Sequence, residues 1–171
     1  MIRVVVEDLA LLPAAAVVRP ATTRLDPTTP AVRRLETVGG TEFTGRLRLQ
    51  KELAVGAAVV TAGGGDLSAE FVIHAVIQSD TEPVTRDGVA RAWRSALQQA
   101  REWEFTSLTV PPIGTGAGNL SIEDAAGIMV PILKYHLGSE DFPTDVAIVV
   151  ETPEDRDTFE AALRRSGAAE S

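Results

Sequence analysis

The chain has 171 residues, 44% of them hydrophobic and 23% charged, as expected for one ordinary globular domain that needs no disulfide or metal to fold. The net charge of −8 argues against a nucleic-acid partner, because proteins that bind a phosphate backbone usually carry the opposite sign. The absence of cysteine excludes disulfides, thiolate metal sites and a catalytic thiol, and two histidines are too few for most metal sites. A Mg²⁺ or Ca²⁺ site of carboxylates alone is left open by the composition, but no EF-hand spacing appears. We expect neither a metal nor a cofactor.

The first half of the chain opens with two short apolar runs that predict buried strands, Ile2–Val6 and Ala14–Val18. The second run stops before Pro20, which lacks the amide that a central strand needs. Residues 22–30 are rich in Thr and Pro and predict a loop. Pro30 then suits the first turn of a helix that ends at Gly39-Gly40.

The next segment predicts a helix over Phe43–Leu53, ended by Gly56, and then a hairpin. Ala57–Ala62 and Phe71–Ile77 have the composition of strands, and a turn of three glycines and an aspartate separates them.

The second half alternates between helix and strand. The predicted elements are helix Thr85–Glu104, strand Ser107–Val110, helix Ser121–Leu137 closed by Gly138, strand Asp145–Val150 and helix Pro153–Arg165 with Thr152 as N-cap. This order builds parallel strands with helices on their faces. We predict an α/β protein, a three-layer α/β/α sandwich with a mixed, largely parallel central sheet. It forms one domain over residues 1–165, and residues 166–171 form a disordered tail.

A glycine-rich segment, residues 111–120, joins a predicted strand to a predicted helix; we call it the glycine loop. Ligands of open α/β sheets bind beyond the carboxyl ends of the strands. Alternating glycines let a ligand approach the backbone, and Ser121 is a good N-cap for the helix that follows. The positive end of a helix dipole favours phosphate there. A plain tight turn is the alternative.

Few other side chains suggest chemistry. Asp8 follows a buried strand and could accept from an amino group such as that of adenine, or it could simply stabilise a turn. His74 lies inside an apolar strand and predicts a core histidine, and His136 lies near a helix C-terminus. No serine has a histidine at a spacing that indicates a triad.

The order of these segments resembles the macro domain, an α/β/α module that binds ADP-ribose. The resemblance covers about residues 3–163. It is carried by segments 6–9 (VEDL), 16–22 (AVVRPAT), 56–63 (GAAVVTAG), 72–76 (VIHAV) and 112–118 (PIGTGAG), of which the last is one residue shorter before its final glycine than the family pattern.

The resemblance implies that Asp8 holds the adenine amine beside the amide of Leu9. It also implies that Thr22 takes the place of an asparagine that contacts the distal ribose. The residues that would wrap the diphosphate and the distal ribose are Gly114, Thr115, Gly116, Ala117, Gly118 and Asn119.

Three departures from the family pattern affect this site. Where the family has a glycine-rich loop, this chain has residues 26–30, D-P-T-T-P, which we call the first loop and which offers few amides to a phosphate. Glu151 replaces an aromatic that stacks on adenine, and could accept from a sugar or an amine. Arg19 replaces a buried asparagine; it is a candidate for the cation that the first loop no longer provides, with a structural ion pair as the alternative.

The sequence therefore favours a module that binds ADP-ribose or a related adenine nucleotide diphosphate, with an affinity weakened by the first loop. One alternative is a hydrolase that removes ADP-ribose from esters or phosphates, for which the sequence indicates no general base. The other is a degenerate domain that serves assembly. The N-terminus has no signal-peptide pattern, and no apolar run approaches the roughly 18–20 residues that span a bilayer. We expect a cytoplasmic protein with a small-molecule ligand and no membrane partner; an oligomer is left open.

Overall fold

The computed structural model describes residues 1–116 and 119–170, with side chains through residue 166. These residues form, in chain order, strand β1 (Ile2–Val6), strand β2 (Ala14–Thr22), helix α1 (Pro30–Arg48), strand β3 (Ala58–Ala62), strand β4 (Ala69–Gln78), helix α2 (Arg86–Glu102), strand β5 (Ser107–Val110), helix α3 (Ile122–Ser139), strand β6 (Asp145–Val150) and helix α4 (Pro153–Glu170).

The strands form one sheet in the order β1-β6-β5-β2-β4-β3. All neighbouring pairs are parallel except β3 and β4, which form the predicted antiparallel hairpin. The prediction of a mixed, largely parallel sheet is confirmed. The carboxyl ends of β1, β5 and β6 consequently meet at one edge of the sheet.

Helices cover both faces of the sheet, so the three-layer architecture is also confirmed. Successive residues of β2 point to opposite faces: Val18 packs in a core with Trp93 of α2 and Met129 of α3, whereas Val17 packs in a second core with Phe43 of α1. The alternation follows from the period of two in a strand. α1 therefore covers one face, while α2, α3 and α4 cover the other.

Strand β2 is longer than predicted, because it runs through Pro20 to Thr22. The predicted stop at Pro20 was wrong, and the pairing of β2 with its two neighbouring strands shows why. β2 pairs with β5 only at Ala16 and Val17, and beyond them it pairs with β4 alone. Pro20 therefore lies in a stretch that behaves as a sheet edge, where a missing amide is tolerated.

Helix α1 begins as predicted, with Pro30 in its first turn and Thr29 as N-cap, whose hydroxyl accepts from the Val32 amide at 3.3 Å. The predicted end at Gly39-Gly40 is a kink, since Gly40 has a φ of 71° and a second helical segment follows. That segment includes Phe43 but ends at Arg48, five residues before the predicted end.

The remaining helix ends differ from the predictions by small shifts. α3 continues one residue past Gly138 to Ser139, and α4 continues from the predicted end at Arg165 to Glu170. The disordered tail over 166–171 stays a prediction. None of the helices in the described ranges is long and apolar enough to cross a membrane.

His74 is fully buried in β4, as predicted for a core histidine. Its Nε2 lies 2.8 Å from the hydroxyl of Thr61, a side chain of the neighbouring strand β3. Burial, and secondarily the charge of Arg19, lowers the pKa of His74 well below its ordinary value, which keeps the ring neutral.

Candidate functional site

A cavity of about 630 Å³ lies at the carboxyl edge of the parallel strands. The ends of β1, β5 and β6 contribute to its walls, together with the first turns of α1, α3 and α4. This is the edge at which open α/β sheets bind ligands. A second cavity, about 530 Å³, lies between α2 and α3, away from the strand ends and both loops.

The glycine loop forms one wall of the larger cavity through Thr115 and Gly116. Gly114 and Gly116 have φ values of 90° and 132°, in the left-handed region that favours glycine. The loop is closed by a hydrogen bond from the Leu120 amide to the Gly114 carbonyl at 3.0 Å. Among the described residues the Thr115 amide makes no hydrogen bond, and Thr115 lines this wall.

Helix α3 starts directly after the glycine loop, and its first residue, Ile122, also lines the cavity. The predicted N-cap is observed, since the Ser121 hydroxyl accepts from the Asp124 amide at 3.1 Å. The positive end of the α3 dipole therefore lies beside the loop. This wall has the features of an anion site at a helix N-terminus.

Asp8 and Arg34 form a second part of the cavity wall as an ion pair. Both Nε and Nη2 of Arg34 lie 2.8 Å from Oδ2 of Asp8, while Oδ1 accepts from the Ala10 amide at 3.0 Å. Asp8 therefore stabilises the turn after β1 and also lines the cavity, while its role toward a ligand amino group stays a prediction.

Sequence reasoning missed Arg34, which is one of several arginines on exposed helix surfaces. The signal that could have found it is its spacing of four from Pro30, which places both residues on one face of α1 beside the cavity.

The charged groups around the cavity are mostly acidic. Glu7, Asp8, Glu151 and Asp155 line it, whereas Arg34 is the one basic residue among the described lining residues. Glu151 is at the wall, as the resemblance implied. Glu7 and Asp8 follow β1, Glu151 follows β6 and Asp155 lies in α4. The cavity therefore has a donor-rich end at the glycine loop and an acidic end beyond β1 and β6.

Arg19 is placed in the core rather than at the cavity. Its side chain is fully buried, with Nη1 3.2 Å from Oε1 of Glu36 and Nη2 2.6 Å from the Leu25 carbonyl. Burial lowers the pKa of Arg19, and the charge of Glu36 opposes that shift. The structural ion pair is thus the alternative that fits the position of Arg19, which ties the chain after β2 to α1.

Thr22 is also placed away from the cavity lining. Its hydroxyl accepts from the Arg24 amide at 3.3 Å and from the Asp26 amide at 3.1 Å, which closes a turn at the end of β2. The first loop then passes close to the glycine loop, because a methyl group built on Gly116 would lie 3.7 Å from Cγ2 of Thr29.

The structure therefore brings four of the predicted site residues to the cavity wall, namely Asp8, Thr115, Gly116 and Glu151. Leu9 is buried beside Asp8, and Gly114 and Asn119 shape the glycine loop through hydrogen bonds. Ala117 and Gly118 lie outside the described residues.

The model of the macro domain family matches residues 18–129, which is more than half of the chain. The chain belongs to the macro domain family. The resemblance found in the sequence is thereby confirmed, and the matched range includes the second half of β2, the hairpin and the glycine loop.

Relatives of this macro domain include proteins of bacteria and archaea. An uncharacterized protein of Mycobacterium tuberculosis is 30% identical over 129 residues, which are 75% of this chain and 36% of that protein. A macro domain-containing protein of Methanosarcina mazei is 30% identical over 112 residues, or 64% of this chain and 59% of that protein. This chain therefore spans about a third of the length of the mycobacterial relatives.

Solved structures share the fold over nearly the whole chain. The macrodomain of Oceanobacillus iheyensis with ADP aligns with a TM-score of 0.86 at 22% identity, covering 97% of this chain and 91% of that one. The macrodomain of Trypanosoma brucei in complex with ADP-ribose aligns with a TM-score of 0.84 at 19% identity, covering 95% and 68%. At these identities the likeness concerns the fold.

Proposed function

We propose that the cavity at the carboxyl edge of this macro domain binds ADP-ribose or a related nucleotide diphosphate. The observation that carries the proposal is the presence, in the lining of one cavity, of both a glycine loop at a helix N-terminus and the Asp8 carboxylate. Structural neighbours in complex with ADP and with ADP-ribose support the same ligand class.

The diphosphate belongs at the glycine loop. Thr115 and Gly116 line the cavity there, and the α3 dipole favours negative charge at that position. Gly116 has a φ of 132° and no side chain, so its backbone can approach a phosphate closely. The neutral part of the ligand then extends toward Asp8 and Glu151, because the acidic end repels phosphate.

The first loop weakens this binding. Pro27 and Pro30 have no amide hydrogen, so two of the five residues of the first loop offer no backbone donor to a phosphate. Each charge-assisted hydrogen bond that a phosphate fails to make costs about 1.5–3 kcal/mol. We expect an affinity in the micromolar to millimolar range.

Isothermal titration calorimetry with ADP-ribose tests the proposal. Gly116→Val should reduce the affinity at least tenfold, because valine fills the phosphate position and resists a φ of 132°. Gly127→Val on α3 is the matched control, since a side chain there meets no atom within 4 Å and lies outside the cavity lining. No heat with wild-type protein at millimolar ADP-ribose would overturn the proposal, and so would equal affinities of the two valine variants.

A further inference from the structure

The Asp8 carboxylate has little acceptor capacity left for a ligand. It accepts from the Ala10 amide through Oδ1, and both Nε and Nη2 of Arg34 lie 2.8 Å from Oδ2. An ionised carboxylate offers about four lone-pair sites, so roughly three are used inside the protein. An amino group that approaches Asp8 must therefore compete with Arg34.

Arg34 brings donors to the same wall. A guanidinium has five N–H groups, and Asp8 takes two of those of Arg34. Its Nη1 makes no hydrogen bond to the described residues, and its side chain is 50% exposed on the cavity wall. Asp8 fixes the orientation of the fork, since it holds Nε and Nη2 together. Without Arg34, the Asp8 carboxylate would select a ligand group that donates hydrogen bonds. With Arg34 held by Asp8, this wall instead presents an oriented hydrogen-bond donor to the ligand.

The charges nearby decide which acceptor suits Arg34. Glu7, Glu151 and Asp155 line the cavity together with the Asp8–Arg34 pair, whose own charges cancel. The uncompensated carboxylates would repel a second anion at this end, whereas they would not repel a neutral carbonyl oxygen in the same way. The remaining carboxylates can accept N–H groups beside that carbonyl. Arginine forks pair well with the O6 and N7 atoms of a 6-oxopurine, which also carries an N1–H donor.

We infer that Arg34 sets the base preference of the cavity and favours a 6-oxopurine over adenine. The inference rests on the proposed function, because it takes the diphosphate to lie at the glycine loop. It specifies the ligand class as purine nucleotide diphosphates whose base carries a carbonyl group at position 6, of the inosine or guanosine type. Arg34 is the specificity residue, and Asp8 positions it.

Titration of the whole chain with inosine diphosphate and with adenosine diphosphate tests the inference, because these ligands differ only at position 6 and in the proton on N1. Wild-type protein should bind inosine diphosphate about tenfold more tightly. Arg34→Ala should reverse or abolish this ratio, since it removes the donor and frees Asp8 for the adenine amine. Arg33→Ala is the matched control, because Arg33 is the exposed neighbour on α1 outside the cavity lining, and it should keep the wild-type ratio.

Arg34→Lys gives a second readout that retains the charge. Lysine lacks the planar fork and cannot hold Asp8 and a base oxygen together, so the ratio should fall below the wild-type value. A wild-type preference for adenosine diphosphate would overturn the inference. It would also be overturned if Arg34→Ala left the ratio of the two affinities unchanged, as expected if the guanidinium merely stacks on the base. Absence of binding by both nucleotides and by ADP-ribose would overturn the proposed function as well.

Discussion

Two connections at the same edge of the sheet differ in what they offer a ligand. The first loop and the glycine loop each lead from a parallel strand to a helix whose N-cap is a hydroxyl, Thr29 in one and Ser121 in the other. The glycine loop has left-handed backbone and an amide without a described partner, whereas the first loop has two prolines and a turn closed on Thr22. The same strand–loop–helix connection can therefore form a binding wall or a closed one, depending on which residues supply its backbone donors.

The two loops are also held in place differently. Buried Arg19 holds the chain before the first loop in place, because it binds the Leu25 carbonyl and Glu36. The glycine loop holds its shape through its own backbone, with a hydrogen bond across it and positive φ values at Gly114 and Gly116. Substitutions that act on one type of support should leave the other loop intact.

The largest expected effect comes from Glu36→Ala, which leaves the buried guanidinium of Arg19 without its carboxylate. Breaking a buried ion pair from one side costs about 3–5 kcal/mol, so the free energy of unfolding should fall by that order in urea denaturation. Glu42→Ala is the control, since its pair with Arg46 is exposed at a distance of 3.9 Å and should contribute little. A loss below about 1 kcal/mol for Glu36→Ala would show that the first loop does not depend on this pair.

A smaller effect is expected for Gly114→Ala in the glycine loop. The new Cβ would lie 2.6 Å from Cγ2 of Val89, and the φ of 90° disfavours any L side chain. We expect a loss of about 1–3 kcal/mol in the free energy of unfolding.

Gly138→Ala, within α3, is the matched substitution for Gly114→Ala. Its Cβ meets nothing within 4 Å, and alanine is the better helix former, so it should stabilise the protein by about 0.5–1 kcal/mol. Chemical denaturation of the two variants side by side checks the opposite signs; a shared sign would contradict the conformational argument.

The smallest effect tests what the loops share. Thr29→Ala and Ser121→Ala each remove one N-cap hydrogen bond, at 3.3 Å and 3.1 Å, and each should cost about 1 kcal/mol in thermal or chemical unfolding. If one substitution left the free energy of unfolding unchanged while the other lowered it, the two helix starts would not be equivalent. The two loops would then share only their strand–loop–helix topology.

The sequence predicted the fold well because its elements have strong local signals. Continuous β-branched runs marked the strands, and hydroxyl caps with Pro30 or glycine marked the helix ends. Pro20 misled the prediction, since its tolerance depends on how far β5 extends beside β2, which is a long-range property. The kink at Gly40 was predicted as a helix end, because it is a kink only if a second helical segment continues after it. Local patterns predict the bounds of that segment less accurately.

The site was predicted in part, for a related physical reason. Asp8 and the glycine loop follow buried strands, so the position of the strand ends places them. Arg19 and Arg34 look alike in sequence, but one lies within a strand that helix α1 covers and the other on a face of that helix. The spacing of Arg34 from Pro30 places both residues on one face of α1, but whether that face reaches the cavity depends on how α1 packs on the sheet, which is a long-range property.

The unequal lengths of β2 and β5 have a consequence for how this domain can change. β5 has four residues and pairs with β2 at two positions, while β2 continues for five more residues to Thr22. The sheet margin consequently has a step, and Pro111 and Pro112, which follow β5, line the cavity. The strand ends set where the cavity lies and the connecting segments supply most of its rim, so the chemistry of that rim can diverge by a few substitutions while the hydrophobic cores stay the same.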